Sequence, residues 1–390
     1  MRLRFANSGH LAKGLEMRIG AGEVGRFDQR NTMFSRVRDT ERSDPSLLEM
    51  GRAFYGEPNL GDRTGYTLKD WALNTAAWYV ERKFGRGNLV GDFGLYEWGP
   101  DPEELMRINR ISPEKRWNAS DPGKMSQSVK EAARLFGASL VGICRLDQRW
   151  LYSHRFNPLT FEHVRIDIPE EFEYAVVLAH EMDYELIRTS PAYTENAATG
   201  HGYSMMAYVA GSMAHYIRTL GYKAIPCGND TGLSIPLAVD AGLGELGRHG
   251  LLITKTYGPR IRISKVLTDL PLMPDRPVEF GAKEFCARCK RCAEECPGTA
   301  ISFGGPTTRG LSPFNNDGIY KYYVQPEKCF AFWARNRGSC GTCIRVCPYN
   351  KPLGRIHDLV RHLTNSAPML DPLWVKIDRL LGYGRRVIGE

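Results

Sequence analysis

Residues 286–297 read CARCKRCAEECP, and residues 340–348 read CGTCIRVCP. Both stretches separate their cysteines by two or three residues and end in Cys-Pro, which is typical of bacterial ferredoxin domains. In such a run the close spacing lets one tight loop present three sulfurs to one face of a cluster, while the last cysteine reaches a second cluster. The pattern therefore predicts a domain that carries two 4Fe–4S clusters.

Cys329, which lies at a longer distance before Cys340, completes the second set of ligands. The first cluster is assigned Cys286, Cys289, Cys292 and Cys347, and the second is assigned Cys329, Cys340, Cys343 and Cys296. The alternative is a zinc ribbon, whose sites are built from two Cys-x2-Cys pairs. A three-plus-one arrangement that occurs twice, with proline after each run, favours iron–sulfur clusters.

The remaining composition is that of a globular protein. The chain has 390 residues, of which 42% are hydrophobic and 25% are charged, and its length allows two or three domains. The net charge of +8 is compatible with an acidic partner, an anionic cofactor or nucleic acid, and does not separate these classes. The two cysteines outside the motifs, Cys144 and Cys227, lie in apolar surroundings and are predicted to be buried thiols.

The sequence offers little that would place the protein in a membrane. No stretch reaches the ~18 consecutive apolar residues that a membrane-spanning helix needs. The first residues contain neither an apolar export signal nor a twin-arginine pair. As written, the sequence predicts a cytoplasmic protein. The alternative is a periplasmic, membrane-associated mature form from which a signal has been removed.

Four segments can be distinguished along the chain. Residues 1–125 are rich in polar turns and aromatic side chains, and we expect them to be irregular with a few helices. Residues 126–275 have an α/β pattern, residues 276–355 hold the ferredoxin-like cysteines, and residues 356–390 form a C-terminal helical segment. We expect a docked helix in this last segment, with an apolar stripe formed by Trp374, Ile377, Leu380 and Leu381.

The α/β segment combines strand and helix patterns. Apolar runs at residues 138–146 and 173–182 predict buried strands. Residues 204–220 predict a long helix, with Ser204 as its N-cap and Gly221 just beyond its C-terminal end. Strands that alternate with helices favour a sheet with helices on its faces.

Residues 226–272, which begin PCGNDTGLSIPLAVDAGLGELG, resemble the corrinoid-dependent reductive dehalogenases when they are taken together with the cysteine motifs. RFDQRNTMFSR at residues 26–36 and VGICRLDQRWLYS at residues 141–153 are similar to the same family, in the same order. The related epoxyqueuosine reductases share the corrinoid and ferredoxin segments but lack the N-terminal block. The resemblance implies an α+β or α/β fold, with a central α/β corrinoid-binding (nitroreductase-like) domain followed by a ferredoxin-like domain.

The resemblance also implies cobalamin, a corrinoid, beside the two 4Fe–4S clusters. No Asp-x-His-x-x-Gly motif occurs in the chain. The resemblance implies that the corrinoid is bound in the base-off form, which leaves the cobalt free to reach the Co(I) state. The expected cofactor-binding residues are Asn229, Ser234, Gly242 and Gly244. The two glycines also fit a Gly-x-Gly-x-x-Gly dinucleotide pattern, but Pro236 and Asp240 precede them where that pattern needs a strand. We interpret them instead as positions where the backbone approaches a large flat cofactor.

Two residues are implied as the catalytic pair. The resemblance places the proton donor at Tyr203, in GHGYSMM, and its basic partner at Arg262, in PRIRISK. A cation near a tyrosine stabilises the tyrosinate that remains after the proton is given up, which makes donation easier. Without the resemblance, a tyrosine at a helix start and a surface arginine would be the simpler interpretation.

Aromatic residues are the expected wall of the substrate pocket. By resemblance, Trp333 in CFAFW occupies such a position, and Phe34 and Trp98 are weaker candidates for the same wall. An aromatic pocket suits an apolar organohalide better than a charged metabolite.

These observations predict a reductive dehalogenase, which replaces a carbon-bound halogen with hydrogen. Two alternatives remain: an epoxyqueuosine reductase that acts on tRNA, and a dicluster electron-transfer protein without a corrinoid. The expected partners are an organohalide substrate and an external low-potential electron donor, such as a ferredoxin, a flavodoxin or a membrane donor. No nucleic acid is expected as a partner, and a homodimer is possible.

Overall fold

The structure is a computed structural model that describes residues 24–85, 94–99, 115–354 and 368–387. Its strands are β1 (Leu140–Arg145), β2 (His154–Phe156), β3 (His163–Arg165), β4 (Tyr174–Glu181), β5 (Ala224–Cys227), β6 (Glu245–Leu246), β7 (Leu252–Ile253) and β8 (Ile261–Thr268). Its α-helices are α1 (Met33–Arg36), α2 (Pro45–Tyr55), α3 (Leu68–Ala77), α4 (Pro122–Leu135), α5 (Tyr184–Arg188), α6 (Tyr193–Thr219), α7 (Ser234–Asp240), α8 (Ala282–Cys289), α9 (Arg291–Glu294), α10 (Pro326–Asn336), α11 (Thr342–Arg345) and α12 (Asp371–Leu380).

A four-stranded sheet organises the middle of the chain. Its strand order is β1-β4-β8-β5, and each neighbouring pair is antiparallel. The expected strands at residues 138–146 and 173–182 are confirmed as β1 and β4. The chain therefore has the mixed α/β architecture that its pattern predicts.

Helices cover both faces of this sheet. Successive side chains of a strand point to opposite faces, so alternate residues of β4 enter different cores. Val176 and Leu178 pack with Met213 of helix α6 on one face. Val177 packs with Leu237 of helix α7 on the other face. A strand that is buried on both faces has a continuous apolar sequence, which is why β4 could be recognised from its sequence.

Helix α6 begins earlier than the sequence predicted. Residue Ser204 was expected to be its N-cap, but the helix starts at Tyr193 and Ser204 lies inside it. The Ser204 hydroxyl donates to the carbonyl oxygen of Ala77 at 2.6 Å and accepts from the backbone N–H of Glu81 at 3.3 Å. The prediction was wrong because Gly200 and Gly202 weaken helix propensity, whereas in the structure they serve close packing. The end of the helix is as expected, with Gly221 in the left-handed region at φ 86°.

The C-terminal helix α12 docks by a different means than the sequence indicated. Leu380 and Leu381 of the expected apolar stripe are 81% and 69% exposed. The contacts with the ferredoxin-like region include two buried aspartates of the helix. Asp371 pairs with Arg288 at 2.9 Å, and Asp378 pairs with Arg291. In a sequence, an aspartate that is buried in an ion pair cannot be distinguished from one that is exposed to solvent. The face by which helix α12 docks could therefore not be recognised from the sequence.

Among the described residues, no helix combines the length and the apolar composition needed to cross a bilayer.

Candidate functional site

The cysteines expected to bind the first cluster lie around one cavity. Helix α8 carries Cys286 and Cys289, helix α9 carries Cys292, and Cys347 follows helix α11. All four line this cavity, although Cys347 is distant from the others in sequence. The structure thus brings together the three-plus-one set that the spacing predicted.

The other four cysteines form a second group beside the first. The thiol of Cys343 interacts electrostatically with those of Cys340, Cys329 and Cys296, and also with that of Cys292. Cys292, Cys296 and Cys343 share one apolar cluster. Two cluster sites built from these residues would be adjacent, which suits transfer of single electrons between them.

Burial makes these thiols poor acids in the absence of iron. It raises the pKa of Cys286 to about 11 and that of both Cys289 and Cys329 to about 12. A cluster needs thiolates, and bound iron supplies the positive charge that stabilises them in a buried place. The donor set and its enclosure therefore fit iron–sulfur clusters.

Arg248 is a site residue that the sequence did not reveal. Its side chain is fully buried and lines the same cavity as the first cysteine group. Its Nε donates to the carbonyl oxygen of Cys286 at 3.0 Å, and its Nη1 donates to the carbonyl oxygen of Ser302 at 2.7 Å. A fixed cation beside a cluster is one of the features that set a cluster's reduction potential.

Cys144 and Cys227, which were predicted to be buried thiols, are confirmed as such. They are 2% and 0% exposed. Burial raises the pKa of Cys227 to about 12. Both are on strands of the central sheet, away from the two cysteine groups.

Tyr203, on helix α6, is held by residues that follow strand β5. The side-chain amide of Asn229 donates from Nδ2 to the Tyr203 hydroxyl oxygen at 2.9 Å. The Ser234 hydroxyl in turn donates to Oδ1 of Asn229 at 3.3 Å, which fixes the direction of the amide. Asn229 is exposed, so the Tyr203 hydroxyl lies where a group bound against this surface would meet it. Three residues that the resemblance named are therefore in one hydrogen-bonded chain.

Arg262, on strand β8, lies over the Tyr203 ring. Its guanidinium carbon is 5.3 Å from the ring centroid, within the range of a cation–π contact. Its Nη2 donates to the hydroxyl of Thr199 at 3.0 Å. The Thr199 hydroxyl donates to Oε1 of Glu195 at 3.1 Å. Arg262 thus contacts the Tyr203 ring while a hydrogen bond to Thr199 holds its guanidinium in place.

Glu195 is a second residue that the sequence did not reveal. It is 1% exposed, and burial raises its pKa to about 7. Its Oε2 also accepts a hydrogen bond from the hydroxyl of Ser339, which precedes Cys340, at 3.4 Å. The carboxyl group therefore connects the anchor of Arg262 with the loop that carries a predicted cluster ligand.

Two glycines explain how the neighbours of Tyr203 come so close to helix α6. A Cβ at Gly200 would lie 2.4 Å from the ring of Trp78, and a Cβ at Gly202 would lie 2.8 Å from the side chain of Arg262. The ring of Trp78 stacks on Tyr203, with centroids 4.8 Å apart and planes inclined by 24°. The Gly-His-Gly-Tyr sequence is therefore required by packing on both sides of the tyrosine.

Lys265 supports the backbone loop that carries Asn229. Its side chain is 0% exposed, and burial lowers the pKa of its ammonium group. Its Nζ donates to the carbonyl oxygen of Gly228, to that of Gly232 at 3.0 Å and to the Ser234 hydroxyl at 3.1 Å. One buried cation thus fixes both ends of the turn that positions Asn229.

We expect Lys265→Met to destabilise the protein and to disturb Asn229. The substitution would leave buried carbonyl oxygens without a donor, at a cost of about 1–3 kcal/mol each. The melting temperature of the loaded protein should fall by several degrees, and activity should fall with it. Lys255→Met, at an exposed position, is the matched control and should change neither. Equal melting temperatures for the two variants would contradict the role of Lys265.

Two of the three predicted pocket aromatics lie together. The rings of Phe34 and Trp333 are 5.8 Å apart. Phe330 contacts both rings, and Phe54 contacts Phe330 and Trp333. Phe34 is about half exposed, so the aromatic cluster reaches the surface. Trp98 packs instead against the core that lies between the sheet and helix α7. Its place in the same wall stays a prediction.

The two glycines predicted to approach a cofactor, Gly242 and Gly244, lie close to the chain's own backbone, and their approach to a cofactor stays a prediction. A Cβ at Gly242 would lie 2.4 Å from the carbonyl oxygen of Arg276, and a Cβ at Gly244 would lie 2.2 Å from that of Ile253. Gly242 is also in the left-handed region, at φ 71°. The contacts that require glycine here are therefore with the chain's own backbone.

Comparison with known proteins agrees with this site. A family described as a 4Fe-4S dicluster domain matches residues 285–351. A tetrachloroethene reductive dehalogenase of Desulfitobacterium hafniense is 37% identical over 387 residues, which cover 83% of this chain and 69% of that protein. One from Sulfurospirillum multivorans is 34% identical, over 81% of this chain and 68% of that protein.

The chain belongs to the reductive dehalogenase family. Among solved structures, the fold of this family member matches the catabolic reductive dehalogenase NpRdhA with a TM-score of 0.69, at 24% identity over 95% of this chain. The chain spans about half (48%) of the length of that protein. It matches a reductive dehalogenase whose structure suggests a mechanism for B12-dependent dehalogenation with a TM-score of 0.70.

Epoxyqueuosine reductases are more distant relatives of this dehalogenase family member. That of Aliivibrio fischeri is 27% identical over 259 residues, which cover 58% of this chain. The similarity to the dehalogenases extends over a larger part of the chain, as the N-terminal RFDQRNTMFSR block predicted.

Proposed function

We propose that this chain is a reductive dehalogenase that uses a corrinoid and two 4Fe–4S clusters to replace a carbon-bound halogen with hydrogen. The overall reaction takes an organohalide, two electrons and one proton, and yields the hydrogen-substituted product and a halide ion. The observation that carries the proposal is the placement of Tyr203 against Asn229 and Arg262, in the same chain as two groups of four cysteines.

The described residues fit a corrinoid at the surface formed by Tyr203, Asn229 and Ser234. The Asn229 side chain is exposed there, and its amide is fixed by the hydroxyls of Tyr203 and Ser234, both of which are partly buried. A bound corrinoid would supply the strongly reducing cobalt centre for cleavage of the carbon–halogen bond. We include in this proposal the finer assignment of residues 126–275 as a nitroreductase-like corrinoid-binding domain, supported by the sheet with helices on both faces.

Within the site, each residue has a defined task. Tyr203 holds the proton on Oη and donates it to the carbon that loses the halogen. The Asn229 amide keeps that hydroxyl in place, and Arg262 stabilises the negative charge that remains on the tyrosinate. Trp78, stacked on the ring, keeps water away from one face of Tyr203.

The electrons would enter through the two cysteine groups. We propose Cys286, Cys289, Cys292 and Cys347 as ligands of one cluster, and Cys296, Cys329, Cys340 and Cys343 as ligands of the other. An external low-potential donor supplies the electrons. The aromatic cluster that contains Phe34 and Trp333 favours an apolar organohalide as the substrate.

The proposal is tested by measuring halide release. The purified protein, loaded with cobalamin and containing both clusters, is given a low-potential reductant and an alkyl, alkenyl or aryl halide. We expect one halide and one hydrogen-substituted product for every two electrons consumed, and no release from protein that lacks the corrinoid. Loaded protein with full iron content that dehalogenates no member of the three classes would contradict the proposal.

A further inference from the structure

Two histidines lie side by side on the hairpin formed by β2 and β3, outside the proposed active site. The register pairs His154 with Arg165 and Phe156 with His163, so both histidines lie on the same face of the hairpin. Their ring centroids are 4.7 Å apart, and the ring planes are inclined by 33°. The strand geometry therefore holds two imidazoles close together.

A carboxylate from the N-terminal part of the chain completes this group. Nε2 of His163 is 3.1 Å and 3.0 Å from the two carboxylate oxygens of Asp28. One ligand atom from each of Asp28, His154 and His163 lies within 4.8 Å of the other two. Ligand atoms of one tetrahedral zinc ion, each at about 2.0–2.2 Å from the metal, lie about 3.3–3.6 Å apart, so metal binding would draw these atoms together by at most about 1.5 Å.

The three side chains stand on backbone that is fixed independently. Arg26 donates from Nη2 to the carbonyl oxygens of Tyr152 at 2.5 Å and Ile166 at 2.6 Å. The backbone N–H of Ser153 donates to the carbonyl oxygen of Phe27 at 2.9 Å. The N-terminal segment is thus joined to the residues that precede β2 and follow β3, so a metal would meet a group that is already assembled.

The surroundings agree with a metal site. The Ser153 hydroxyl is 3.1 Å from Nδ1 of His154, and such a second contact orients the ring of a metal-binding histidine. Arg30, two residues after Asp28, pairs with Asp39 and Glu41, which offset its positive charge. Asp28 also accepts the backbone N–H of Arg30 at 2.8 Å, which holds the carboxylate in place.

We propose that Asp28, His154 and His163 bind one divalent transition-metal ion, with water in the remaining position. Two imidazoles and one carboxylate bind zinc and the neighbouring transition metals more readily than they bind calcium or magnesium. The ion would replace the hydrogen bond between His163 and Asp28 and would link the N-terminal segment to the α/β part of the chain. It takes no part in the proposed dehalogenation.

Zinc itself is the probe for this site. The intact holoprotein, with its iron content measured, is dialysed to equilibrium against micromolar zinc, and the bound zinc is counted. We expect the wild-type protein to hold one zinc ion more than His163→Ala or Asp28→Asn. His215→Ala removes an exposed histidine of helix α6 and is the matched control, so it should keep the full zinc content.

A second measurement distinguishes the loss of the metal site from misfolding of a variant. Zinc should raise the melting temperature of the wild-type protein and of His215→Ala, and should leave that of a folded His154→Ala unchanged. Equal zinc content in wild type and in the three site variants, all with full iron, would overturn the proposal. So would a zinc-dependent rise in melting temperature that persists in His154→Ala.

Discussion

Tyr203→Phe is expected to lower the rate of dehalogenation by about 10²–10⁴, the usual contribution of a positioned general acid. The substitution keeps the ring and its stacking on Trp78 but removes the proton that is transferred. Corrinoid binding and the spectra of the clusters should be unchanged, since neither depends on this hydroxyl. Tyr208→Phe, which changes an exposed tyrosine of the same helix, is the matched control and should retain full activity.

Arg262 offers a further check of the same mechanism. Arg262→Leu should also slow turnover, because the tyrosinate would lose its neighbouring cation. The double variant with Tyr203→Phe should be little worse than the slower single variant, since residues that act as a unit do not have additive effects. Full activity of Tyr203→Phe with corrinoid bound would show that water or another side chain donates the proton. The family assignment would survive that result, but the catalytic assignment would not.

Cys292→Ser is expected to abolish dehalogenation and to remove one cluster. Intact protein should contain about eight iron atoms per chain, and this variant should contain about four. Iron analysis and the electron paramagnetic resonance spectrum of the reduced protein would measure the loss. The effect should be confined to one cluster, because Cys292 lines one cavity with Cys286, Cys289 and Cys347. A cluster that has lost one of its four thiolate ligands is held less firmly and is readily lost from the protein.

Cys144→Ser is the matched control for that experiment. Cys144 is a buried thiol of strand β1, and its Sγ is 3.5 Å from the carbonyl oxygen of Leu237, to which it donates. Serine can make the same hydrogen bond, so iron content should not change. Equal loss of iron from both variants would refute the division of the cysteines into ligands and buried thiols. Zinc in place of iron in the wild-type protein would refute the clusters themselves.

The features that the sequence predicted well depend on neighbours along the chain. The spacing of Cys286, Cys289 and Cys292 is a property of one short segment of the chain, so the pattern predicts both the geometry and the chemistry of that segment. The strand β4 could be recognised for a similar reason, since burial on both faces leaves a continuous apolar run from Tyr174 to Ala179. Tyr203 and Arg262 were named only by resemblance, because nothing in their local sequence separates them from a core tyrosine and a surface arginine.

Other features were decided by contacts between distant segments. Strand β8 was not recognised because Lys265 interrupts its apolar pattern, and only the fold shows that this lysine is buried with three acceptors. The start of helix α6 was misplaced because Gly200 and Gly202 look like breaks, whereas Trp78 and Arg262 need that space.

The sequence by itself determined that this protein contains two ferredoxin-type cysteine motifs and a mixed α/β fold. Only the tertiary structure decided which groups surround Tyr203, how Glu195 and Thr199 anchor Arg262, and that Asp28 meets His154 and His163. The physical reason is that ligand spacing and apolar periodicity act over a few residues. Buried charges and hydrogen-bonded networks instead need partners that lie far apart in the chain, and these meet only after folding.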